Sequence, residues 1–127
     1  MRDLNRVQLI GHLGHVPEVK YTATGTPRTT FTVATSQRWK DADGQMQEAT
    51  EWTRCVAWGT LAEFCAQSVP KGSRVYAAGR LHTVRWQDAA TGERHALTEI
   101  VLDDVILLDR RAGASVAATD DNEAVPF

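Results

Sequence analysis

The chain has 127 residues, 43% of them hydrophobic and 24% charged, which suits one domain around a single core and excludes a two-domain enzyme. No apolar run approaches the roughly 18 residues of a membrane span, and Met1-Arg2-Asp3 opens without a signal peptide's apolar segment. The expectation is a cytoplasmic protein with no membrane partner, whose Cys55 and Cys65 are free thiols in a reducing compartment.

The formal net charge of −2 is unevenly spread. Residues 1 to 111 hold all 14 Lys and Arg against 13 of the 16 Asp and Glu, whereas residues 112 to 127 hold only Asp120, Asp121 and Glu123. A near-neutral body therefore carries an acidic tail. Eleven of the 14 cations are Arg, whose planar group grips phosphate at two points and stacks on aromatic rings.

From Asn5 to Leu13, Val7, Leu9, Gly11 and Leu13 alternate with Arg6, Gln8, Ile10 and His12, the period of a strand with one buried face. Pro17 ends or edges it. Thr29 to Trp39 is rich in Thr, Val and Phe and reads as a second strand, turned by Asp41-Ala42-Asp43-Gly44 into a third from Gln47 to Trp58. Thr60-Leu61-Ala62-Glu63 has the spacing of a capping box and opens a helix of about ten residues that Pro70-Lys71-Gly72 stops. Ser73 to Trp86 alternates again, Ala89 to Gly92 turns, and His95 to Leu108 is a fifth long strand or a strand with a bulge. Five strands with one helix between the third and fourth is the order of the all-β OB-fold, a small, partly open Greek-key barrel. Residues 1–109 are read as that barrel. Residues 110–127, poor in β-branched and aromatic side chains until the end, are read as a short disordered linker with an acidic C-terminal tip.

Four tryptophans test the alternative that every large ring is core. In the third strand Trp52 and Trp58 share a side with Arg54. In the fourth, Trp86 shares a side with Arg74, Arg80 and His82, while Val75, Ala77, Gly79 and Leu81 read as the core side. Rings that travel with guanidinium groups face solvent, because burying unpaired cations costs several kcal/mol. Trp39 stays open by parity: it is in phase with Phe31 and Val33, yet sits between Arg38 and Lys40 at a hairpin shoulder. Exposed rings among cations on a barrel suit unpaired nucleic acid, with bases stacked on the rings and cations tracking phosphates without regard to sequence.

The stretch from Asn5 to Gly14 followed by Pro17-Glu18-Val19-Lys20-Tyr21 resembles the opening of bacterial single-stranded DNA-binding proteins. Thr50-Glu51-Trp52, Trp58-Gly59-Thr60-Leu61-Ala62-Glu63, Lys71 to Tyr76, Gly79 to Thr83 and Arg85-Trp86 follow in that family's order, over roughly Asn5 to Asp109. The resemblance implies that Trp39, Trp52, Trp58 and Trp86 stack bases and that Lys20, Arg54, Lys71 and Arg85 contact phosphate; parity adds Arg74 and Arg80. It implies a homotetramer, although position 53, near a subunit contact in relatives that carry His, is Thr here. It also implies a partner-binding tip in Asp120, Asp121, Glu123, Pro126 and Phe127 that recruits replication, recombination and repair proteins. The tether is short, about 60 Å at full stretch and about 23 Å as a coil, which keeps open a specialised paralogue acting in replication restart or on a mobile element.

No enzyme, cofactor or metal is expected. His12, His15, His82 and His95 lack ligand spacing with either cysteine. Asp103-Asp104 lies in an apolar strand without a nucleophile or base, so a bend or edge is the better reading. Gly11 to Gly14 lacks the Lys-Ser/Thr of a phosphate loop.

Overall fold

The computed structural model describes residues 2–109; the expectations for residues 110–127 lie outside them. In chain order the elements are β1 (Val7–Leu13), β2 (Glu18–Tyr21), β3 (Pro27–Lys40), β4 (Met46–Trp58), α1 (Thr60–Ser68), β5 (Arg74–Gln87) and β6 (Arg94–Leu107). The strands run β1-β5-β6-β4-β3-β2, and β1 pairs also with β3 through His12↔Ala34 and Leu13↔Val33, which closes the barrel. Four of the barrel's contacts are antiparallel, while β4 and β6 are parallel at Cys55↔Ile100 and Val56↔Val101. This is the OB-fold that the element order predicts.

Phe31 and Val33 of β3, Cys55 and Ala57 of β4, Val75 and Ala77 of β5, and Ile100, Leu102 and Val105 of β6 fill the interior with Leu13. From α1, Ala62 and Cys65 join them, and the buried Thr29 hydroxyl donates to the Ala62 carbonyl at 2.8 Å, tying the helix to the barrel. At Gly11 and Gly79 a Cβ would collide with the carbonyls of Ala34 on β3 and Val101 on β6, so neither position admits a side chain. The hairpin turns form as expected. Asp41 Oδ1 accepts from the N–H groups of Asp43 and Gln45, both at 2.9 Å, and Asp88 Oδ1 accepts from Ala90 N–H at 2.7 Å.

Four features depart from, or sharpen, the sequence reading. A sixth strand, β2, pairs with β3 from Glu18↔Thr30 to Tyr21↔Pro27; four residues are too few to show a period. The helix is not opened by a Thr60 capping box. Its N-cap is Gly59 at φ 68°, without a side-chain cap, because the corner between β4 and α1 needs a left-handed residue and places Thr60 already inside the helix. Leu81 is 48% exposed rather than core. The β1 pairing stops at Val7↔Gly79, so beyond Gly79 that edge of β5 has no strand partner among the described residues, and the Asn5 side chain exchanges two hydrogen bonds with the Leu81 backbone. Lastly, β6 does carry a bulge. Ala78 opposes Asp104 and Gly79 opposes Leu102, leaving Asp103 as the extra residue, where it receives Arg6 at 2.7 Å. Among the described residues no helix is long and apolar enough to cross a membrane.

Candidate nucleic-acid interface

With Phe31, Val33, Cys55 and Ile100 turned inward, the intervening residues of β3, β4, β5 and β6 form the outer face, and register sorts them into rows across the strands. The first row is Lys20↔Arg28↔Trp58. The Arg28 guanidinium carbon lies 5.6 Å from the Trp58 ring centroid, a cation–π contact. The second row is Thr32↔Arg54, then Glu99↔His82. Arg54 Nε meets Glu99 Oε1 at 3.2 Å and His82 Nδ1 lies 3.6 Å from Glu99 Oε2. The third row brings Ala34 opposite Trp52. That ring lies over Gly14, whose missing side chain leaves the space: a Cβ there would come within 2.6 Å of Trp52 Cζ3. Towards the tip of the β5–β6 arm, Trp86 and its cross-strand partner His95 stack with centroids 5.3 Å apart and planes 26° from parallel.

Exposure decides the question about the rings. Trp39, Trp52, Trp58 and Trp86 are 46%, 61%, 43% and 48% exposed, so none of the four is a core residue. Trp39 keeps the parity of Phe31 and Val33, but β3 leaves the barrel after Thr35 and that side of the arm is uncovered. It therefore projects from the face opposite to Trp52 and Trp58.

The cations are less uniformly gathered. Lys20 and Arg54 line one depression with His15, Thr30 and Thr32. Arg85 lines another beside Trp86, with Gln87, Arg94 and His95. Arg80 is exposed on the outer face two residues before His82. Arg74 lies at the other end of β5, paired with His12, in a depression shared with Arg38 and Glu48 and apart from Arg54. Lys71 sits in the turn between α1 and β5, exposed and outside the three rows. Asp120, Asp121, Glu123, Pro126 and Phe127 lie outside the described residues. Among the described residues no cluster of three or more His, Cys, Asp or Glu has the arrangement to hold a metal ion.

Sequence reasoning missed Arg28, Arg94, His95, Glu99 and Gly14. Arg28 was within reach, since carrying the Thr30 and Thr32 period one step back places it on their face. The others needed strand register: nothing in the spacing of Glu99 says that it faces Arg54 and His82 at once.

The fold and this face define a class: an OB-fold domain whose outer surface alternates indole rings with cations. The chain belongs to the single-strand binding protein family, whose family model matches residues 4–108. It is 48% identical over 124 residues to Single-stranded DNA-binding protein 1 of Chlorobaculum tepidum, covering 95% of this chain and 76% of that protein. To Single-stranded DNA-binding protein 1 of Xylella fastidiosa it is 41% identical over 112 residues, covering 87% and 82%. Among solved structures, a Plasmodium falciparum SSB in complex with ssDNA superposes with a TM-score of 0.76 at 32% identity, covering 86% of this chain and 98% of that one.

Proposed function

We propose that this protein binds and protects single-stranded DNA without reading its sequence, as a non-enzymatic coat protein. The observation that carries the reading is the alternation of exposed indoles with Lys and Arg on the outer face of the OB barrel, above all the row Lys20, Arg28, Trp58. Each exposed ring offers a base a stacking surface of about 1–3 kcal/mol, indifferent to which base it is. Trp39, Trp52, Trp58 and Trp86 take that part. Lys20, Arg54, Lys71, Arg74, Arg80 and Arg85 supply phosphate contacts, joined by Arg28 and Arg94. The likeness to an SSB solved with ssDNA supports the ligand class. In this reading the domain is residues 1–109, assembled as a homotetramer, and residues 110–127 are a tether whose Asp120, Asp121, Glu123, Pro126 and Phe127 dock replication and repair proteins by charge and by the terminal carboxylate.

Titration of tryptophan fluorescence with oligo-dT tests the binding. Strong quenching at low salt is expected, with the logarithm of affinity falling by about 0.7 per log unit of salt for each phosphate neutralised. Absence of quenching at low salt overturns the proposal. For the tip, a chain ending at Ala124 is expected to keep its DNA affinity and lose capture of replication and repair proteins; equal capture by both chains would remove that role.

A further inference from the structure

Glu99 is an unexpected residue for a face that meets a polyanion. It is 5% exposed, on the outer side of β6, the strand that lies between β4 and β5. Burying a carboxylate is costly unless it is paired, and here Oε1 accepts from Arg54 Nε at 3.2 Å, while His82 Nδ1 lies 3.6 Å from Oε2. The register produces this. His82 is the antiparallel partner of Glu99, and the parallel alignment Cys55↔Ile100, taken one step back, sets Arg54 beside it.

We propose that Glu99 is a positioning residue of the DNA-binding face, holding Arg54 from below so that the arginine's terminal nitrogens are presented to a phosphate. The inference rests on the function proposed above. Arg54 keeps 37% of its side chain exposed and lines the depression that also holds Lys20 and His15. Engaging Nε with Glu99 leaves the two terminal NH2 groups of the planar fork for a phosphate, a division of labour that lysine, with a single ammonium, cannot reproduce. The rotamer freedom that an unrestrained arginine would lose on meeting DNA is already lost in the free protein, which raises affinity by preorganisation. His82 lies beside the second oxygen as the cross-strand neighbour of Glu99.

The sign of one substitution separates this from simple electrostatics. Glu99→Gln removes a negative charge from the face. If Glu99 only masks Arg54 or repels phosphate, oligo-dT binds more tightly to the variant. If Glu99 positions Arg54, affinity falls by about tenfold, or about 1.4 kcal/mol, and the salt slope shrinks by about 0.7 as one phosphate contact is lost. In an Arg54→Met background the further change Glu99→Gln is expected to cost no affinity, because the group it positions is gone. Should Glu99→Gln fail to fold by circular dichroism, Arg54→Lys decides the matter: positioning predicts a loss close to that of Arg54→Met, whereas charge alone predicts affinity near wild type. Tighter or unchanged binding by folded Glu99→Gln, or wild-type binding by Arg54→Lys, overturns the inference. Failure of the wild-type chain itself to bind oligo-dT would instead overturn the function on which it rests.

Discussion

At the scale of single residues, the outer face that carries the exposed indoles depends as much on small groups as on the rings. Trp52 is the most exposed of the four rings, and it has a place to lie because Gly14 contributes no side chain beneath it. Gly14→Ala would set a methyl against Cζ3 of the ring and against the Thr32 hydroxyl. The expected outcome is a shifted tryptophan emission spectrum and up to about tenfold weaker oligo-dT binding, the lower part of what one stacked base supplies. Unchanged emission and affinity would mean that Trp52 does not rest there. Arg28 serves Trp58 in a different way. At 5.6 Å from the ring centroid it covers one face of the indole, and on the other side it adjoins Lys20 in register. Arg28→Ala is therefore expected to weaken binding and reduce the salt slope by about 0.7, while Arg28→Lys keeps the slope; a slope unmoved by Arg28→Ala would show that it serves the ring alone.

At the scale of elements, local signals were legible and register was not. Alternation in β1 showed Val7, Leu9, Gly11 and Leu13 turning inward, and Asp41 with Gly44 marked the β3–β4 turn, because both depend only on near neighbours in the chain. Leu81 misled because parity names a side without saying what covers it; the cover depends on β1 ending its pairing at Val7↔Gly79, a fact of topology. Gly59 usurped the cap from Thr60 because the preceding strand's direction, invisible in a four-residue motif, required a positive φ. His95, like Glu99, belongs to another strand and emerges only when register is fixed, whereas the Thr30 and Thr32 period already marks the face of Arg28 and leaves only its pairing with Trp58 to register. The Asp103 bulge stands between these cases, since the acidic pair hinted at an interruption but not at its consequence. By inserting one residue it lets Leu102 and Val105, an odd number of positions apart, both face the core. Deleting Asp103 would force one of them outward, and loss of the cooperative thermal transition is expected. Asp103→Ala keeps the backbone count and removes only an exposed ion pair to Arg6, so it should change the melting temperature little. A large loss on Asp103→Ala would place the importance in the carboxylate rather than in the extra residue.

At the scale of the whole molecule, the closed barrel makes its stability depend on alkaline pH through two thiols that point into its interior. Cys55 on β4 and Cys65 on α1 are both free and buried. Burial lifts the Cys55 thiol from its ordinary 9.0 to about 12, with the neighbouring Cys65 adding to the effect, and burial lifts Cys65 to about 11. Well below pH 9 both are protonated whether the chain is folded or unfolded, and they leave stability independent of pH. Above it the unfolded chain releases protons that the folded barrel retains, so stability falls as pH rises, until the folded thiols ionise near 11 and 12. Each thiol contributes about 1.4 kcal/mol of this fall per pH unit inside its window. Set against a total of about 5–15 kcal/mol for an ordinary domain, such a fall is large enough to register as a lower denaturation midpoint. Urea midpoints measured from pH 7 to 11 should decline steeply above 9 in the wild-type chain. In the double variant Cys55→Ala, Cys65→Ala they should start lower, because two buried sulfurs are lost, and decline less steeply. Parallel curves for the two proteins would show that the thiols ionise as readily inside the barrel as outside it, and that the interior is wetter than its packing implies.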